Sequence, residues 1–125
     1  MSQFFVGLDL GQAQDYTALS VIERIGESAD DYRYDVRHLQ RFALGTTYPA
    51  IVEAVAKMCQ SKPIASDYSL VADATGVGAA VMDLLEASGL SLTRVTITGG
   101  DTVSQEGSHY RVPKRDLVGV LQVLL

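Results

Sequence analysis

Asp9 and Asp73 are the residues whose setting points most directly to chemistry. Each ends an apolar run and is followed at once by a glycine turn: Phe4-Phe5-Val6-Gly7-Leu8-Asp9-Leu10-Gly11, and Ser69-Leu70-Val71-Ala72-Asp73-Ala74-Thr75-Gly76-Val77-Gly78. A carboxylate at the tip of a buried strand is costly unless it is paired or holds a cation. Two of them, on strands able to lie side by side, predict a divalent-metal site. Each aspartate also has a plainer reading as a turn or helix cap. A cap does not account for the buried strand before Asp9, and Thr75 is placed to cap the following helix itself, which would free Asp73.

Positioning the pair requires particular elements. Residues 4–10 read as a buried strand, with Asp9, Gly7 and Phe5 on one face. Residues 17–24 predict a second strand. Residues 32–41 alternate Tyr32, Tyr34, Val36 and His38 against Arg33, Asp35 and Arg37, the pattern of a strand with one wet face at a sheet edge. Pro49 opens a helix to about Cys59 with Ile51, Val52, Val55, Met58 and Cys59 on one stripe. A short strand over 69–74 leads into a helix closed by Gly89, and 92–98 form the fifth strand. Residues 99–110 read as a long polar loop, and Pro113 starts a C-terminal helix.

The order βββαβαβα predicts an α/β fold: a five-stranded mixed sheet, order 3-2-1-4-5, flanked by helices, with only strand 2 antiparallel to the rest. Strands 1 and 4 would then be parallel neighbours about 4.8 Å apart. Their carboxylates could bridge two ions spaced about 3.5–4 Å, as two-metal phosphoryl transfer requires.

Composition narrows the classes. A chain of 125 residues with 47% hydrophobic residues makes one small domain with a core. No apolar run reaches the roughly 18 residues of a membrane span, so no membrane partner is expected. Cys59 is the single cysteine, which excludes an internal disulfide and fits a reducing compartment. One cysteine and two histidines cannot build a zinc cage without carboxylates. A net charge of −5 argues against polyanion binding through bulk charge, yet leaves room for a nucleic-acid enzyme whose metal ions supply local positive charge.

In this order and with these aspartates, the chain resembles the ribonuclease H-like superfamily. More finely, it resembles the nuclease domain of the viral (phage or prophage) terminase large subunit. Gly7-Leu8-Asp9-Leu10-Gly11 followed by Asp15-Tyr16-Thr17-Ala18 is similar to that family's first motif, and Ala72-Asp73-Ala74-Thr75-Gly76-Val77-Gly78 to its second. Val112-Pro113-Lys114-Arg115-Asp116-Leu117 looks like the segment opening its next helix. The resemblance implies a metal-dependent endonuclease that cuts double-stranded DNA during packaging. Asp9 and Asp73 would be catalytic ligands of two Mg²⁺ or Mn²⁺ ions. Other terminase or portal components would be partners, and the bacterial host cytoplasm the setting. The family's last acidic ligand comes from a later helix, which predicts that residues 1–125 are a domain cut short at its C-terminus. The motor's GxxxxGK[ST] phosphate loop is absent from the sequence.

Other residues carry weaker signals. Arg111, Lys114 and Arg115 form a basic cluster that could hold DNA phosphates or simply be solvated. Asp15 reads as a turn residue or a loop-facing ligand; Gly76 and Gly78 as a phosphate approach or as close packing. Glu53, Asp101 and Asp116 read as solvated, and His109 as an exposed loop residue. Leu117, Leu121, Leu124 and Leu125 leave the last helix with an apolar stripe, so self-association through it is expected. With two aspartates alone to hold its ions, this chain should be a weak nuclease. Two other functions fit the pattern less fully. An actin-like or sugar-kinase-like ATPase also begins with an aspartate-x-glycine hairpin, but Gln12-Ala13-Gln14-Asp15 lacks the hydroxyl residues of its turn. A non-catalytic interaction module would keep the fold alone.

Overall fold

The computed structural model describes residues 2–12 and 14–124; for Leu121, Val123 and Leu124 it describes the backbone alone. Among the described residues, seven strands and three α-helices follow one another as β1 (Ser2–Asp9), β2 (Ala18–Ile25), β3 (Arg33–Arg41), α1 (Tyr48–Cys59), β4 (Tyr68–Asp73), α2 (Ala79–Ala87), β5 (Leu92–Thr98), β6 (Ser104–Glu106), β7 (His109–Pro113) and α3 (Lys114–Leu124). The strands form one sheet in the order β3-β2-β1-β4-β5-β7-β6.

The hydrophobic pattern explains the layering. In β1, Phe4, Val6 and Leu8 are buried while Phe5 and Gly7 are half-buried, so both faces of this strand are apolar and it takes the sheet centre. Phe4, Val6, Leu8, Leu19, Val21, Leu70 and Ala72 point to one face. There they meet the apolar stripes of α1 (Ile51, Val52, Val55, Cys59) and α2 (Val81, Met82, Leu85). Thr47 caps α1 by accepting from the Ala50 N–H at 3.3 Å, with Pro49 in the first turn, where a missing N–H costs nothing.

The predicted block 3-2-1-4-5 stands as expected. Strand β2 is antiparallel to β1 and β3, while β1, β4 and β5 run parallel. The edge position of β3 is also as expected, and its Arg37 pairs with Glu23 on β2 at 2.6 Å. The strand count is a correction. Residues 104–113, read above as the end of a polar loop and a helix start, form the hairpin β6–β7 around Gly107, and β7 adds in parallel to β5. Beside β5, whose backbone edge would otherwise be open, the chain places a partner strand. His109, Tyr110 and Val112 supply it without the long apolar alternation that marks a strand in sequence. Consequently Pro113 ends β7 rather than opening α3.

Cys59 is fully buried, and burial alone pushes its thiol up to about 11. Its expected role as inert packing has a simple check. A thiol reagent at pH 8 should leave the native chain unmodified over the time in which the urea-unfolded chain reacts completely. Equal rates would mean that the core around α1 opens readily. No helix among the described residues is long and apolar enough to cross a membrane.

Candidate functional site

Strands β1 and β4 are in parallel register from Phe4↔Tyr68 through Asp9↔Asp73. The two aspartates are therefore direct neighbours at the same strand ends, on the sheet face opposite α1 and α2. Asp9 is exposed and Asp73 half-buried. They line a groove of about 620 Å³ whose floor is Gly7, Val71, Val95 and Ile97, with Leu117 of α3 at its margin.

The electrostatics match this geometry. Partial burial, then the like charges of Asp73 and Asp15, hold the Asp9 carboxyl above the ordinary aspartate range. The three causes share a sign, so each adds to the others. Asp73 is oriented by its own backbone: its Oδ1 accepts the Thr75 N–H at 2.8 Å, an Asx-turn that leaves the other carboxylate oxygen available to a ligand. The Ala74 N–H donates to the Val95 carbonyl at 2.8 Å and carries the β4–β5 pairing past the aspartate.

Thr75 does not cap α2. Its Oγ1 instead accepts the Ile97 N–H at 2.8 Å, tying the turn after β4 to β5, and Gly78 takes the N-cap position with no side-chain bond. Gly76 has φ +72°, which is the reason for a glycine there. The Gln12 side chain donates to the Gly76 carbonyl and so bridges the two turns that follow the aspartates.

The loop after β1 is held from two sides. The Gly11 N–H donates to Thr17 Oγ1 at 3.0 Å, and the Gly11 carbonyl accepts from the Tyr48 hydroxyl at 2.9 Å. Thr17 is buried, so this bond also satisfies a polar group that would otherwise be stranded. Neither Thr17 nor Tyr48 stood out in the sequence. Thr17 lies inside the motif that begins at Asp15, and that was the available signal; Tyr48, 37 residues from Gly11, had none.

The basic cluster is divided by the sheet. Arg111 pairs in register with Thr96, which alternation places on the α2 face, away from the aspartates. Arg115 lies 3.3 Å from Asp101 and 3.8 Å from Asp116, so both acids are engaged as well as exposed. Lys114 lines a small cleft with Gly99 and Gly100. His109 is half-buried in β7 with its ring 2.8 Å from Thr96 Oγ1; it is a strand residue rather than an exposed loop histidine. Glu53 is exposed on α1. Among the described residues, no three His, Cys, Asp or Glu side chains converge on one point.

A central β1–β4 pair with matched carboxylates, a meander on one side and crossovers on the other, is a ribonuclease H-like fold. The chain is similar in structure to the large terminase nuclease of thermophilic phage G20c, solved with bound zinc, at 20% identity and a TM-score of 0.54 over 97% of this chain and 70% of that one. It is also similar to RuvC of Thermus thermophilus, at 12% identity and a TM-score of 0.53, over 75% of this chain and 62% of the RuvC chain. At these identities the likeness establishes a shared fold. No protein-family model and no curated protein matches the sequence.

Proposed function

We propose that the chain is the nuclease domain of a phage or prophage terminase large subunit, hydrolysing phosphodiester bonds of double-stranded DNA. The observation that carries this reading is the Asp9↔Asp73 register at the open end of parallel strands in a ribonuclease H-like sheet. The donor set fits a divalent ion. It offers adjacent hard carboxylate oxygens, and Asp9 bears a like-charge load that a cation would relieve. The bound zinc of the G20c nuclease supports the same expectation. Asp9 and Asp73 would hold the ions, Mg²⁺ or Mn²⁺ and two in number. When bound, they supply Lewis acidity at the phosphate and a nucleophilic water at neutral pH.

The chain's own residues do the positioning. The Asx-turn at Thr75 orients Asp73, and the Thr17 and Tyr48 bonds fix the loop that carries Asp15, whose charge reaches Asp9. Lys114 and Arg115, which line a separate small cleft with Gly99, Gly100 and Asp101, remain candidates for phosphate contacts, whereas Arg111 faces the α2 side of the sheet. Packaging would place the domain in the host cytoplasm with portal and other terminase components.

Two aspartates are too few ligands for two ions that each take about six oxygens. Slow nicking of supercoiled plasmid is therefore expected from this chain in Mn²⁺, and none in EDTA. Nicking that persists in EDTA would sink the metal-dependent reading.

A further inference from the structure

Arg41 ends β3 opposite Ala18, and Ala18 lies opposite Asp9. Directly paired residues share a sheet face, so Asp73, Asp9, Ala18 and Arg41 form one row across four strands. Arg41 lines the same groove as the two aspartates. Two strand spacings separate its backbone from that of Asp9, about 10 Å.

Arg41 is set apart by its place in the aspartates' groove; lacking a carboxylate within 4 Å is a state it shares, among the described residues, with Arg24 and Arg111. Arg33, Arg37, Arg94 and Arg115 each have a carboxylate within 4 Å. Arg41 has none among the described residues; its guanidinium instead lies 4.0 Å from the centroid of the Tyr16 ring. Stacking covers one face of the guanidinium and leaves its in-plane N–H fork free. The contact also restrains this exposed side chain in advance, which lowers the entropy lost on binding a ligand. A planar fork, desolvated on one side and unpaired, is the geometry that takes a phosphate bidentately.

We infer that Arg41, held by Tyr16, grips a backbone phosphate of the DNA strand lying across Asp9 and Asp73. This deepens the nuclease reading and rests on it for the identity of the ligand. A separation of about 10 Å from Asp9 puts Arg41 within reach of a neighbouring phosphate on the same strand. The net charge of −5 repels DNA as a whole. An uncompensated cation beside the carboxylates therefore sets where the strand lies. Arg41 is a positioning residue: it touches the strand and places the scissile bond, without acting on it.

The test is duplex binding by the whole chain in Mn²⁺, using a phosphorothioate 20-base-pair DNA and fluorescence anisotropy across a salt series. Arg41→Ala should weaken binding about tenfold. It should also lower the slope of log K against log salt by about 0.9, the loss of one phosphate contact. Arg41→Lys should restore the slope while recovering only part of the affinity, because a point charge lacks the fork. Arg24→Ala is the charge control. Arg24 stacks on Phe5 and Tyr32 in the same way but sits six residues along β2 from Ala18, about 20 Å away. An unchanged slope in Arg41→Ala, or an equal fall in Arg24→Ala, overturns the inference. In that case Mn²⁺-dependent nicking by the wild type would leave the nuclease reading standing. Conversely, an Arg41-dependent slope without nicking under any metal keeps the phosphate contact and removes the nuclease. Absence of duplex binding by the wild type overturns both.

Discussion

Asp73→Asn and Asp9→Asn should each cut metal-dependent DNA cleavage by more than about a hundredfold. Loss of a residue that merely orients a metal ligand costs roughly 10–100-fold, so loss of a ligand itself costs more. The substitutions are isosteric, and the fold should survive them. In Asp73→Asn the side-chain amide would still present an oxygen to the Thr75 N–H, preserving the Asx-turn that Asp73 makes. At position 9 the fold should even gain. Burial and the charges of Asp73 and Asp15 raise the Asp9 carboxyl above its ordinary 3.8, so the folded chain binds this proton more tightly than the unfolded chain does. Stability from this group is then greatest at low pH. It declines as pH climbs from about 3.8 through the raised folded value, and the cost is fully present at neutrality. Asp9→Asn removes that cost. Without metal its Tm at pH 7 should equal or exceed that of the wild type, and the difference should shrink toward pH 3.5. Saturating Mn²⁺ should reverse the ranking. At a hundredfold excess over Kd, a bound ligand contributes about 2.7 kcal/mol to the wild type and nothing to a variant that cannot bind. Identical Mn²⁺ responses in thermal melts of both proteins would take Asp9 out of the site.

Much of the candidate site's placement, the pairing of Asp9 with Asp73, was legible because its determinants are local. A buried strand that ends in aspartate and turns on glycine is a statement about six or seven consecutive residues, and Phe4–Asp9 and Leu70–Asp73 both make it. The neighbourhood of the two strands followed from chain order, since a meander and a right-handed crossover leave little choice. What could not be read depends on partners distant in sequence. The β6–β7 hairpin lies along the edge of β5, and nothing within Ser104–Glu106, exposed throughout, announces a strand. Thr75 looked like a helix cap because hydroxyls near helix starts usually are; the Ile97 N–H, 22 residues on, competed for it and won. Arg111, Lys114 and Arg115 cluster in sequence, but strand alternation turns Arg111 to the opposite face from the aspartates. Arg41 shows the converse: isolated in sequence, it reaches the aspartates' row only through the register of three strand pairs. The apolar stripe of α3 is described only in part. Leu117 is 43% exposed and Val118 46%, while the side chains of Leu121 and Leu124, and all of Leu125, lie outside the described residues.

Gly11→Ala should be the most damaging single methyl added near the site, lowering stability by about 2–4 kcal/mol. The backbone here needs no left-handed conformation; the constraint is space. An added Cβ would run into the Asp15 carbonyl and come within 2.6 Å of the Tyr16 carbonyl oxygen, both main-chain atoms that cannot swing aside as a side-chain tip could. Relief requires the 11–16 loop to move outward. That motion lengthens the Gly11–Thr17 bond and the Tyr48–Gly11 bond together, each worth about 1 kcal/mol, and strands the buried Thr17 hydroxyl. Tyr48→Phe separates the two contributions. It deletes one hydrogen bond, adds no bulk and should cost only about 1 kcal/mol. The consequence for the site follows from what the loop carries: Asp15, whose charge reaches Asp9, and Tyr16, on which Arg41 stacks. Gly11→Ala should therefore weaken Mn²⁺ binding and duplex binding together, beyond any effect of partial unfolding, at temperatures where far-ultraviolet circular dichroism shows the sheet intact. Urea denaturation decides the first part, and a loss under about 0.5 kcal/mol would mean that the loop yields freely. Unaltered Mn²⁺ and duplex affinity in a destabilised Gly11→Ala chain would mean that the loop serves folding alone.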